Sequence, residues 1–120
     1  MGVSDEFLGF LVEQMAGWGE VAVRRMFGGA GLYREGVMFG LVADDVLYLK
    51  VDERNRGRFE AAGSGPFVPY PEKVKEVMPS YYEAPAEVVE SAGELGRWAQ
   101  RSWEVAKKSK VNKSKTKRRD

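Results

Sequence analysis

Residues 24–39 read RRMFGGAGLYREGVMF, a stretch rich in the residue types that grip ligands. Adjacent arginines can hold a phosphate or carboxylate, glycines let a ligand approach the backbone, and tyrosine adds a phenol. A dinucleotide loop needs G-x-G-x-x-G between a strand and a helix, so that the glycines admit the pyrophosphate and the helix N-terminus offers its amides. Here Gly29-Ala30-Gly31 runs into Leu32, Tyr33 and Arg34, so the third glycine is missing and the chain continues as a strand rather than a helix. No Gly-Lys-Ser or Gly-Lys-Thr occurs either, which removes the P-loop. The glycines are therefore expected to bend or bulge a twisted first strand.

The rest of the chain is equally poor in reactive groups. It has no cysteine and no histidine, which removes disulfides, thiolate metal sites, catalytic triads and the commonest general base near neutral pH. Asp44-Asp45 and Asp52-Glu53 resemble magnesium ligands, but both pairs stand where turns and helix caps want acids. Arg54, Arg56 and Arg58 are diluted by Glu53 and Glu60, as on a solvated face. The expectation is a protein that is not an enzyme and carries no cofactor or metal.

Binding residues are easier to nominate. Arg24 and Arg25 fall on opposite faces of a strand, so at most one points into a covered face, where it would need a carboxylate such as Glu83. Tyr81 and Tyr82 alternate in the same way, one inward and one outward. Together with Tyr33 these residues, Arg24, Arg25, Tyr81 and Tyr82, form the candidate partner surface. Met26-Phe27 reads as packing at the bend.

Charge singles out a second region. Residues 107–120, KKSKVNKSKTKRRD, hold eight bases and one acid, whereas the 106 residues before them hold 11 bases and 17 acids. With Val111 as its one apolar residue, this segment cannot offset its ordering entropy and is expected to be a disordered basic tail. Lys107, Lys108, Lys110, Lys113, Lys115, Lys117, Arg118 and Arg119 are its candidate nucleic-acid contacts, of the weak and sequence-independent kind. The N-terminus carries acids where a signal peptide needs bases, and no apolar run approaches a membrane span, so a soluble cytoplasmic protein is expected.

The elements that must position these residues can be read from periodicity. Ser4 as N-cap, with Asp5 and Glu6 in the first turn and Phe7, Leu11, Met15 and Trp18 at helical spacing, predicts an amphipathic helix. Strands are predicted from Val21 through the glycines to Arg34, over 37–43 and over 46–51, joined by turns at Glu35-Gly36 and Asp44-Asp45. A short helix comes next, capped by Asp52, burying Phe59 and Ala62 and ending at Gly63. Residues 67–70 read as an edge strand because of their flanking prolines, 73–77 as a loop, and 78–83 as a strand. Pro85 opens a last helix with Leu95, Trp98, Ala99, Ser102 and Ala106 on its apolar stripe and Trp103 beside it. The prediction is one α+β domain over residues 1–106, two-layered, with an antiparallel five-stranded sheet in the order α-β-β-β-α-β-β-α.

These same segments carry a resemblance. RRMFGGAGLYREGVMFGLVADDVLYLKVDERNRGRFEAAG, then PFVPY, then MPSYYEAP and the tryptophan-containing last helix, resemble the N-terminal domain of the TfoX/Sxy family over about residues 5–106. The resemblance implies the α-β3-α-β2-α order. It also implies a regulatory role, since in the family's regulators of natural competence this domain is joined to a helix-hairpin-helix type domain and acts as a transcriptional coactivator with the cyclic-AMP receptor protein. Here a short basic tail is expected in the place of that second domain. A non-catalytic regulatory or adaptor domain acting through a protein partner is the expected function, with weak nucleic-acid binding through the tail as the alternative.

Overall fold

The computed structural model describes residues 3–26, 28–68 and 78–119, with 78–79 and 110–119 described by their backbone alone. Helix α1 (Asp5–Gln14) begins as the sequence dictates: the Ser4 hydroxyl accepts from the Phe7 amide at 3.1 Å, and Asp5 and Glu6 occupy the first turn. Such a cap contributes about 1 kcal/mol. Leu8, Leu11 and Met15 form its buried face.

Six strands come after α1, not five, in one antiparallel sheet of order β1-β2-β3-β4-β6-β5. The added strand comes from the glycine-rich stretch. β1 (Ala22–Met26) and β2 (Gly29–Arg34) pair antiparallel with Met26 opposite Gly29, so the chain reverses within two residues instead of bending. Gly28 has φ +76°, a backbone that side-chain-bearing residues resist, and this permits the reversal in so short a loop. The turns at Glu35-Gly36 and Asp44-Asp45 are two-residue connections as predicted, all four residues having φ between 52° and 79°. Positive φ at both central positions suits the twist of the strands they join. They lead into β3 (Val37–Ala43) and β4 (Val46–Lys50).

Asp52 works as a turn acid, its carboxylate accepting from the Arg54 amide at 2.8 Å, and α2 (Arg56–Ala61) starts four residues later. Phe59 is buried as expected but Ala62 is exposed, because the helix ends before reaching it. Gly63, at φ +83°, sits at the helix end, donating to the Glu60 carbonyl at 3.0 Å. β5 (Pro66–Phe67) lies at the sheet edge, where proline's missing donor is tolerated, and pairs with β6 (Met78–Glu83). The predicted loop over 73–77 and the end of the predicted 67–70 strand lie outside the described residues. The final helical region is divided into α3 (Ala86–Val89) and α4 (Ala92–Arg119). The backbone of 107–119 continues α4, where composition alone leads one to expect disorder.

The helices cover one face of the sheet. Leu8, Leu11 and Met15 of α1 and Leu95, Ala99, Trp103 and Ala106 of α4 share one core with Ala30, Leu32, Phe39, Val42, Leu47, Leu49 and Tyr82. Each fully buried Leu or Phe contributes about 1.5–3 kcal/mol. The pairing of β2 with β3 shifts between Leu32 and Tyr33, leaving an extra residue in β3 and Phe39 with Gly40 between Met38 and Leu41. This bulge seats the Phe39 ring against Trp18 at 5.1 Å while Met38 and Leu41 face the other way.

Candidate functional site

The second face of the sheet is where most of the nominated residues meet. Pairing register places Arg24, Gly31, Leu41, Tyr48 and Glu83 in one row across β1, β2, β3, β4 and β6. Alternation along each strand puts this row opposite the core row Val23, Leu32, Gly40, Leu49 and Tyr82. A side chain on Gly31 would strike the Met26 methyl at 2.7 Å and the Tyr33 ring at 3.0 Å, with the Met38 sulfur at 3.3 Å. Three neighbours thus close over the gap this glycine leaves. On the other half of the face, Tyr48 packs on Phe67 with ring centroids 4.7 Å apart. Among the described residues no helix packs on this face, and Met26, Tyr33, Met38, Leu41, Tyr48 and Phe67 are all at least partly exposed. An apolar sheet face of this kind is what interaction surfaces are made of.

Charged and phenolic groups rim it. The Arg24 guanidinium lies 5.7 Å from the Tyr33 ring and the Lys50 ammonium 5.1 Å from the Tyr81 ring. Tyr81 is buried, and burial first, then the neighbouring Tyr33, push its phenol up to about 12. Tyr48 is raised by burial and then by Glu83 and Asp44. Both phenols are therefore neutral hydrogen-bonding groups under ordinary conditions.

The structure separates the other two nominated residues. Arg25 is on the helix-covered side at the edge, where it donates to the Val3 carbonyl at 3.1 Å and pairs with Asp5. It fastens the start of α1 to the edge strand in solvent, and Glu83 has no part in it. Tyr82 belongs to the core, its ring 6.0 Å from Phe59. Glu83 and Arg24 stand at opposite ends of the row, four strand spacings or about 19 Å apart.

One arginine that sequence reasoning passed over is the one that turns inward. The Arg34 guanidinium lies 4.4 Å from the Trp18 ring and 4.6 Å from the Trp103 ring. Trp103 also donates to the Arg34 carbonyl at 3.0 Å, and Trp18 to Gln100 at 2.8 Å. This cluster ties the end of α1, the end of β2 and the middle of α4 together. Lys107, exposed on α4, lies 3.7 Å from the ring of Trp103 one turn earlier on the same helix. Lys108 is exposed on the same helix, and Lys110, Lys113, Lys115, Lys117, Arg118 and Arg119 fall on its helical backbone.

Among the described residues no group of three or more Asp and Glu side chains is placed to hold a metal ion, and no helix is long and apolar enough to cross a membrane. The family model described as TfoX N-terminal domain matches residues 13–106, from α1 through the packed part of α4. No curated protein matches the chain.

Proposed function

The chain belongs to the TfoX N-terminal domain family, and from that premise we propose that it is a non-catalytic regulatory or adaptor domain acting through protein–protein contact at the outer face of its sheet. The observation that carries this reading is the row of half-exposed Leu41 and Tyr48 with Met26, Met38 and Phe67 around them, on the face opposite the helices. Residues of this type supply binding energy at interface centres, while Arg24 and Glu83 at the ends supply orientation. The family's link to competence and transcription makes the transcription machinery the class of partner to look for.

Affinity capture with the full chain and with Leu41→Asp tests the reading. Leu41 is outside the core cluster, so the variant keeps its fold, verified by circular dichroism. A partner held by the parent chain is lost, with affinity reduced at least about tenfold. A partner retained by Leu41→Asp contradicts the reading, as does a parent chain that holds no protein at all, a second copy of itself included.

A second reading rests on α4. Its helical backbone runs on through residues 107–119, and the eight bases in 107–120 are thereby gathered on one helix. Such an element binds phosphate backbones without sequence preference, the logarithm of affinity falling with that of salt at a slope of up to about −7. Removal of 107–120 abolishes this binding; survival of the binding would place it on the acidic body instead.

A further inference from the structure

We infer that the occupant of the outer sheet face is a second copy of this chain, docked face to face about a two-fold axis parallel to β3. The inference rests on the reading that this face is the contact surface, and it names the partner. Its basis is that the row Arg24, Gly31, Leu41, Tyr48, Glu83 is complementary to its own reverse. A two-fold through the central strand places Leu41 on its symmetry mate and Arg24 of each protomer opposite Glu83 of the other. Tyr48, with Phe67 beside it, meets the half of the partner's face where Met26, Tyr33 and Met38 close over Gly31. Thioether sulfur against aromatic rings is a favourable contact and an adaptable one.

Among the described residues the two charges have no such partner within one protomer. Arg24 and Glu83 are both exposed, and neither forms an ion pair among the described residues. Their separation of about 19 Å forbids mutual pairing in one chain, whereas the two-fold brings both pairs together at once. Five strands by three rows of side chains span about 20 Å by 20 Å, so the two faces together bury on the order of 1,000 Å². That is the lower bound for a specific interface, and the dimer is accordingly weak and concentration-dependent. The helix layers and α4 remain outside it on both protomers.

Sedimentation equilibrium of the full chain from low to high micromolar concentration provides the test, with Arg24→Glu, Glu83→Arg and the double exchange. Reversible dimerisation is expected, each single reversal weakening it by about tenfold or more because it converts two attractions into two repulsions. The double exchange restores the parental value to within about threefold. A monomer at every concentration overturns the inference, as does a dimer indifferent to the single reversals or one that the double exchange fails to restore. If the chain is monomeric while capture by the Leu41 face succeeds, the partner is a different protein and the reading of the face stands without the dimer.

Discussion

Replacing Arg34 with methionine keeps a long apolar stem and removes the charge held between Trp18 and Trp103. The two rings lie 4.4 Å and 4.6 Å from the guanidinium carbon, well within cation–π range. Arg34 is half-buried, so each contact is worth about 0.5–1 kcal/mol and the pair about 1–2 kcal/mol. Two features keep the loss from being larger. The hydrogen bond from Trp103 goes to the Arg34 backbone carbonyl and survives the substitution, and Lys107 at 3.7 Å from Trp103 is relieved of a like charge nearby. In a domain of this size the deficit lowers Tm by about 4–8 °C. Guanidinium unfolding followed by tryptophan fluorescence reads both the stability and, in the native baseline, the emission of the two edge-to-face indoles. Arg101→Met, at an exposed position of the same helix layer, is the control and changes stability by less than about 0.5 kcal/mol. If Arg34→Met costs no more than the control and leaves the emission unchanged, the cluster is not the clamp described.

Three further outcomes are expected of the core and its rim. Tyr81 has a folded-state pKa raised from 10.0 to about 12, so the folded chain holds a proton that the unfolded one releases; this contribution, about 2–3 kcal/mol at most, is intact below pH 10 and is lost as pH rises towards about 12. Urea unfolding across that alkaline range shows a steep fall for the parent and a shallower one for Tyr81→Phe. The Ser102 hydroxyl is fully buried with no hydrogen-bond partner among the described residues, so Ser102→Ala is neutral or stabilises by up to about 1 kcal/mol in a denaturant titration. A loss above about 1 kcal/mol would mean that the hydroxyl is bonded. Gly31→Val drives a branched side chain against Met26, Tyr33 and Met38 and lowers stability by about 1–3 kcal/mol, whereas equal stability would mean that the outer face is loosely packed.

Where local chemistry decides structure, the sequence was sufficient. Ser4 caps α1 with its own hydroxyl, and the Glu35-Gly36 and Asp44-Asp45 turns carry residue types that accept positive φ. The hairpin between β1 and β2 was not legible, because Gly29, Ala30 and Gly31 have too little side chain to show a period of two, and a bend and a reversal then read alike. Alternation correctly put Arg24 and Arg25, and Tyr81 and Tyr82, on opposite faces. It could not say which face the helices would cover, since that is set by α1 and α4 packing from far along the chain. Leu41 and Tyr48 were therefore read only as members of their strands, without a face assigned to either. Arg34 carried no warning at all: its place depends on Trp18 and Trp103, 16 and 69 residues away, meeting at the end of β2.

The central claim, that the outer sheet face is the contact surface and a second copy its occupant, is met most directly by methyl spectra of the full chain recorded over a dilution series. The methionines themselves report on both faces, since Met26 and Met38 lie on the outer one and Met15 is fully buried under the helices. With a second copy on the outer face, the Met26, Met38 and Leu41 methyls move with concentration while those of Met15, Leu32 and Leu49 stay fixed. Shifts at Met15 and the core leucines instead, or no concentration dependence anywhere, would contradict it.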